Sequence, residues 1–283
     1  MLPVLYINLD RDKGRRSHIE RELAQDNLRP IRIRAVGPQL PHGMFGEALS
    51  AGEIGAYASH MKAWSSLLVS SHPFALVLED DARVAPNLAE LVEAIIAALP
   101  QEWDLVHLYD DEGRPARPLR SISAHHKLVR YSRAPRGCVG YLLSRSGSQK
   151  LSRRELRSWP LDTDFRRPWH FHLDSYGISP PLVTHEDKFP SALLEAGPRS
   201  RRRRGITVSH PLHSFQGAIW NAERLGITWW LYFFAVNSWR RVGRAIAKLG
   251  RGERPSVYGT YPLAPATNSH GNADGKKAYR KMP

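Results

Sequence analysis

The chain has 283 residues and a mass of 32.0 kDa, enough for one large α/β domain or two small ones. Its hydrophobic fraction of 42% can bury a core, which excludes a wholly disordered chain. A single cysteine, Cys138, excludes an internal disulfide framework and fits a reducing compartment.

The net charge of +14 is unevenly spread. Residues 1–198 hold 25 Lys and Arg against 24 Asp and Glu, whereas residues 199–283 hold 16 against 3. The body is therefore close to neutral, and the C-terminal part is the one suited to an anionic surface.

The apolar run at residues 4–9 reads as a first strand covered on both faces, rather than a signal peptide. Residues 15–25 read as a surface helix and residues 31–36 as a second strand. Ser50 and Glu53 have the spacing of a capping box. Behind them Ile54, Tyr57, Ala58, Met61, Trp64, Leu67 and Leu68 recur at helical intervals. Residues 74–78 form another buried strand that runs into Glu79-Asp80-Asp81. Asn87 and Glu90 repeat the capping spacing ahead of a helix over 91–99. Residues 103–109 and 139–143 complete the strands that the pattern predicts. Alternation of strand and helix to about residue 195 predicts an α/β fold with a mainly parallel central sheet.

After residue 198 the character changes. A basic run, Arg199-Ser200-Arg201-Arg202-Arg203-Arg204, precedes an aromatic-rich segment at 225–239, flanked by Arg224 and by Arg240, Arg241, Arg244 and Lys248. As a helix that segment covers about 22 Å, short of a hydrocarbon core of about 30 Å. It fits an interfacial helix attracted to anionic lipid, and its bland alternative is a helix packed on the body. The division expected is 1–198 as the main domain, 199–249 as a basic and aromatic helical membrane-associating segment, and 250–283 as a disordered tail.

Glu79-Asp80-Asp81 lies at the C-terminal end of a buried strand, where open α/β sheets place ligands. Continued alternation would send Glu79 and Asp81 to one side and Asp80 to the other. Two carboxylates without sulfur suit a hard divalent cation; the alternative is a solvated acidic turn. Asn8-Leu9-Asp10-Arg11 ends the first strand: Asn8 or Asp10 can bind a base or ribose edge, and Arg11, Arg15 or Arg16 a phosphate. Its alternative is a helix N-cap at Asp10 among surface arginines. His170, His172 or His185 can add a metal ligand or be ordinary surface histidines, and Cys138 reads as a small buried residue.

Together these segments are similar to glycosyltransferase family 25. Val4-Leu5-Tyr6-Ile7-Asn8-Leu9-Asp10-Arg11 with Arg15-Arg16 resembles the family's opening. Gly52-Glu53-Ile54-Gly55-Ala56-Tyr57-Ala58-Ser59-His60, ending four residues on at Trp64, resembles its second segment. Ala75-Leu76-Val77-Leu78-Glu79-Asp80-Asp81-Ala82 resembles its acidic segment, and Trp103-Asp104-Leu105-Val106 the strand that follows. Gly137-Cys138-Val139-Gly140-Tyr141-Leu142-Leu143-Ser144-Arg145-Ser146-Gly147, Pro160-Leu161-Asp162 and Pro180-Pro181-Leu182-Val183 resemble later segments, all in order.

The resemblance implies a GT-A-like nucleotide-sugar-binding fold and an inverting transferase, with UDP-galactose the favoured donor and Mn2+ or Mg2+ the cofactor. It implies Asp81 as metal ligand, with Glu79 on the metal or the ribose. It implies Asn8, Asp10, Arg11 and Arg16 around the nucleotide, with Ser59, His60 and Asp80 close by. It implies Asp162 as the base that takes the acceptor proton, with Asp164 as runner-up. A lipopolysaccharide, lipooligosaccharide or related glycan is the expected acceptor, reached from the cytoplasm at the inner membrane. Nucleic acid is not expected as a partner, since no nucleic-acid motif accompanies the basic residues. The rival readings are a nucleic-acid-binding protein using the Arg-rich C-terminus, and a catalytically silent scaffold of the same fold.

Overall fold

The computed structural model describes residues 2–37, 43–110, 113–186, 188–189 and 209–249, the last with side chains at 215–239. The basic run at 199–204 and the tail at 250–283 lie outside the described residues.

The centre of the fold is an eight-stranded sheet. Its strands are β1 (Val4–Asn8), β2 (Ile31–Arg34), β3 (Phe74–Glu79), β5 (Leu105–His107), β6 (Ala116–Ser121), β7 (Lys127–Tyr131), β8 (Gly140–Ser144) and β9 (Ser175–Ser179). The order across the sheet is β2-β1-β3-β8-β5-β9-β7-β6. The sheet is mixed rather than mainly parallel by pairing. Strands β2, β1 and β3 pair in parallel, as do β5 and β9, while β8 and β7 run antiparallel to both neighbours. Six strands thus share one direction and two oppose it. An apolar run such as Gly140–Ser144 reports burial on two faces but carries no sign of its direction. A two-stranded ribbon pairs β4 (Ala82–Val84) with β10 (Val183–His185).

Alternating side chains along these strands feed two cores. Val4, Tyr6, Leu76 and Leu78 pack against Ile19 and Leu23 of α1 (Lys13–Ala24) and Val92 and Ile95 of α3 (Leu88–Ala98). Leu5, Ile7, Val77, Tyr141 and Leu143 face Tyr57, Trp64 and Leu67 of α2 (Ala51–Val69). The same layer contains α4 (Arg145–Leu151), α5 (Leu161–Phe165) and α6 (Pro168–Phe171).

The α2 capping box forms as its spacing predicts: Ser50 Oγ accepts from Glu53 N, and Glu53 accepts from Ser50 N at 2.8 Å. The cap expected at Asn87 does not form, because Asn87 adopts φ 57° and its side chain makes no cap bond. Asp26, just past α1, accepts instead from Ala89 N at 2.8 Å. A cap supplied from another element leaves no local spacing to read.

The C-terminal helices are α7 (Ser209–Leu225) and α8 (Ile227–Leu249). Helix α7 packs on the body: Trp220 meets the His172 ring at 5.9 Å, and Arg117 Nη1 donates to Leu225 O at 2.6 Å. Asn221 Nδ2 donates to Ser132 O at 3.2 Å. Phe233 of α8 is 4% exposed, yet Ile227, Leu231, Tyr232, Phe234 and Trp239 all face outward. No helix among the described residues is long and apolar enough to cross a membrane.

Candidate active site

Strands β1 and β3 lie side by side and end together, so Asn8 and the Glu79-Asp80-Asp81 corner share the C-terminal edge of the sheet. Asn8 is 1% exposed and is committed on every side. Its Nδ2 donates to Asp80 Oδ2 at 2.7 Å and to Asp12 O at 3.1 Å, while its Oδ1 accepts from Arg32 Nε at 3.0 Å. Asp10 is not the α1 cap, a position taken by Asp12. It accepts from Arg32 Nη2 at 2.7 Å and pairs with Arg34, and the Arg32 bond leads in holding its carboxyl below the usual range.

The extended backbone stops at Glu79 and turns at Asp80 and Asp81. Strict alternation therefore ends there, and both aspartates reach Arg15 in the first turn of α1. Arg15 Nε donates to Asp80 Oδ1 and Nη2 to Asp81 Oδ2, each at 2.6 Å. The ring of Phe189 lies over the guanidinium at 5.7 Å. Burial raises the Asp80 carboxyl above its ordinary value against the pull of Arg15 and Asn8. Asp81 is pushed up to about 6, by burial first and the Glu79 charge second, with Arg15 opposing. Its Oδ1 is buried and accepts no hydrogen bond.

Glu79, with a side chain 33% exposed, is held from the other layer. Trp64 Nε1 donates to Tyr141 Oη at 2.9 Å, and that hydroxyl lies 2.9 Å from His60 Nδ1. Burial keeps Tyr141 protonated, so its own hydrogen is available to His60 Nδ1. The tautomer this assigns leaves His60 Nε2–H facing Glu79 Oε1 at 3.4 Å. Ser59 is occupied elsewhere: its Oγ donates to Gly55 O at 2.6 Å and accepts from Val36 N at 2.8 Å, tying α2 to the segment after β2.

Asp162 and Asp164 sit on α5 with different surroundings. Asp164 is 2% exposed, accepts from Tyr57 Oη at 3.0 Å and from Arg167 Nη1 at 3.2 Å, and burial pushes it up to about 6. Asp162 is half-buried and accepts from Thr163 Oγ1 at 3.4 Å. The charges of Glu79, Asp162 and Asp164 add to burial in raising the Cys138 thiol well above its usual value. Cys138 itself is buried, as its type suggests.

Arg11 and Arg16 are not brought to this cluster. Arg11 is exposed beside Asp12, and Arg16 pairs with Glu20 at 2.9 Å, which also accepts from Tyr6 Oη at 2.5 Å. Of the late histidines, His170 lies 3.0 Å from Glu155 and His172 against Trp220. His185 is paired in the ribbon with Ala82, beside Asp81, whose carbonyl accepts from Glu186 N at 2.8 Å. The roles of Arg15, Arg32 and Tyr141 escaped the sequence reading. The alternation Ile31-Arg32-Ile33-Arg34 did place both arginines on one face of an edge strand, where carboxylate partners are reachable.

Among the described residues, no group of three or more His, Cys, Asp or Glu is placed to hold a metal ion. Asp81 and its neighbour Glu79 still fit a hard divalent cation, because a buried oxygen without a partner and a disfavoured negative charge are what such an ion relieves. Magnesium-like ions are commonly held by one or two carboxylates, with substrate phosphates and water completing the shell.

Comparison with known proteins gives a match of residues 1–166 to the model of glycosyltransferase family 25 (LPS biosynthesis protein). Procollagen galactosyltransferase 1 of Danio rerio is 26% identical over 213 residues, covering 68% of this chain and 34% of its own. A glycosyltransferase 25 family member of Aedes aegypti is 27% identical over 139 residues, covering 46% of this chain and 21% of its own. The "Probable inactive glycosyltransferase 25 family member 3" of Bos taurus is 28% identical over 120 residues, covering 41% of this chain and 19% of its own. The chain thus spans about a third or less of the length of these curated relatives.

Proposed function

Because the chain belongs to glycosyltransferase family 25, we propose that it transfers a sugar, with galactose favoured, from a nucleotide-sugar donor to a saccharide acceptor. The proposed fold assignment is GT-A-like, and the proposed acceptor is lipopolysaccharide, lipooligosaccharide or a related surface glycan. The observation that carries the reading is the unpartnered, buried Oδ1 of Asp81 beside Glu79, at the strand ends where an α/β sheet receives a nucleotide.

In this reading Asp81 and Glu79 hold Mn2+ or Mg2+, which supplies positive charge against the departing diphosphate. Asn8 and Asp80 fix the wall of the nucleotide site, and Asp10 presents its half-exposed carboxylate at the rim. Asp162 is the base, since its carboxylate is the more accessible of the two on α5 and Asp164 is taken by Tyr57 and Arg167. The acceptor oxygen bonds to the anomeric carbon as the carbon–oxygen bond to the diphosphate breaks on the opposite face. The acceptor proton passes to Asp162, and the sugar is inverted.

Acceptors of this class present their hydroxyls at a membrane. The outward residues of α8 and the arginines that follow support peripheral attachment to the cytoplasmic face of an anionic inner membrane.

The test is release of UDP from UDP-galactose, with and without Mn2+ and with lipooligosaccharide as acceptor. Mn2+-dependent release that Asp81→Ala abolishes is expected, with Asp162→Asn binding UDP normally and transferring no sugar. A second reading, a silent nucleotide-sugar-binding relative, draws on one observation: Arg15 already supplies a cation to both Asp80 and Asp81. UDP binding without turnover under every condition would select it.

A further inference from the structure

Arg32 grips Asn8 and Asp10 at once. On the edge strand β2 it stands opposite Tyr6, and so on the sheet face that Tyr6 shares with Asn8. Its Nε donates to Asn8 Oδ1 at 3.0 Å, and its Nη2 donates to Asp10 Oδ1 at 2.7 Å. The same Nη2 reaches Asn8 O at 3.3 Å. Both neighbours fix the Asn8 amide the same way: Nδ2 must face the Asp80 carboxylate, and Oδ1 must face Arg32. Through Arg32, Asp10 is therefore tied to a side chain that is itself anchored beside the acidic corner.

The Asp10 side chain remains 45% exposed, and each carboxylate oxygen has a second lone pair to offer. Held ionised by its arginines, the carboxyl accepts hydrogen bonds and donates none. A ligand at this rim must therefore bring donors. Two oxygens side by side match two adjacent hydroxyls, such as those of a ribose. A uracil edge is a poorer match, since it presents one N–H between two carbonyl oxygens that a carboxylate repels.

We propose that Arg32 is a positioning residue that sets Asp10 to read the 2′- and 3′-hydroxyls of the donor's ribose. This deepens the transferase reading and rests on it for the nucleotide. The planar fork of Arg32 reaches Asn8 and Asp10 together, which a lysine ammonium on its flexible stem does not reproduce. Arg34, with its side chain 72% exposed, is the looser tether on Asp10.

Titration calorimetry of UDP and of 2′-deoxy-UDP into the full chain with Mn2+ is the test. UDP is expected to bind the wild type about tenfold or more tightly than the deoxy analogue, the worth of one hydrogen bond to a charged group. That ratio should fall below about threefold in Asp10→Ala and in Arg32→Gln, with Arg32→Lys between them and the wild type. Asp10 is exposed, so its variant keeps the fold. A wild-type ratio retained in Arg32→Gln, with both ligands weakened equally, would make Arg32 merely structural and overturn the proposal. A ratio that survives Asp10→Ala would overturn it by giving the hydroxyls to another group such as Glu79. A wild-type ratio near one, or no binding of either ligand, would overturn it as well. Release of UDP from UDP-galactose, measured on the same samples, separates the two readings: turnover with a ratio near one removes this inference alone. A high ratio without turnover removes only the transferase reading.

Discussion

Arg15 Nη2 lies 2.6 Å from Asp81 Oδ2, joining the first turn of α1 to the corner after β3 across 66 positions of sequence. Both side chains are nearly buried, and the same guanidinium holds Asp80. Removing one partner of such a pair leaves an uncompensated buried charge and costs about 3–5 kcal/mol. Arg15→Gln is therefore expected to lower the melting temperature substantially at neutral pH. A divalent cation at Asp81 would supply the missing charge, so millimolar Mn2+ should raise the melting temperature of Arg15→Gln more than that of the wild type. An equal or smaller response in the variant would show that Asp81 does not receive the ion.

The line from Trp64 through Tyr141 and His60 to Glu79 predicts a coupling. Tyr141→Phe strands the Trp64 N–H and removes the donor to His60 Nδ1, each lost partner costing about 1–3 kcal/mol of stability. If the line positions Glu79 for the nucleotide, Tyr141→Phe and Glu79→Gln should each weaken UDP binding. Their double variant should then lose less than the sum. Titration of UDP into the four proteins measures the cycle, and strict additivity would confine Tyr141 to a packing role.

The sequence was most legible where one strand or helix holds its own explanation. The buried run of β1, the capping box at Ser50 and the helical stripe through Trp64 all stand where their patterns put them. The acidic corner was also legible as a place, because the apolar run at 74–78 marks the strand that Glu79-Asp80-Asp81 ends. What escaped was set by partners far along the chain. Nothing local announces that Arg15 serves Asp80 and Asp81, that Asp26 caps the helix after Asn87, or that β8 enters the sheet reversed. Short polar strands such as β6, with Pro118 inside it and a register shift beside it, lack the apolar run that identifies a strand.

Asp164 predicts a pH signature separable from catalysis. Burial pushes its carboxyl up to about 6, above the ordinary aspartate value of 3.8, so the folded state holds that proton more tightly than the unfolded one. The stability this gives is present at acid pH and is lost as pH rises through about 6. Asp164→Asn lacks that component. Its stability relative to the wild type should improve by up to about 3 kcal/mol between pH 4 and pH 8. Urea midpoints of both proteins at the two pH values measure the difference, and a constant offset would place the Asp164 carboxyl in its ordinary range.

Helix α8 divides its aromatic residues between two tasks. Phe233 is buried, so Phe233→Ala should cost about 3–5 kcal/mol in unfolding experiments. Phe234, whose ring stacks on Trp230 of the same helix at 5.9 Å, and Trp239 are exposed at 63% and 79%, so Phe234→Ser with Trp239→Ser should shift the unfolding midpoint only slightly. If that face rests on lipid, the same pair should lower co-sedimentation with anionic phosphatidylglycerol vesicles at least tenfold, since each exposed aromatic contributes apolar burial there. Binding to neutral phosphatidylcholine vesicles should be weak in both proteins, because the basic residues after 239 gain nothing from an uncharged surface. Undiminished sedimentation of the double variant would assign lipid attachment to some other surface of the chain.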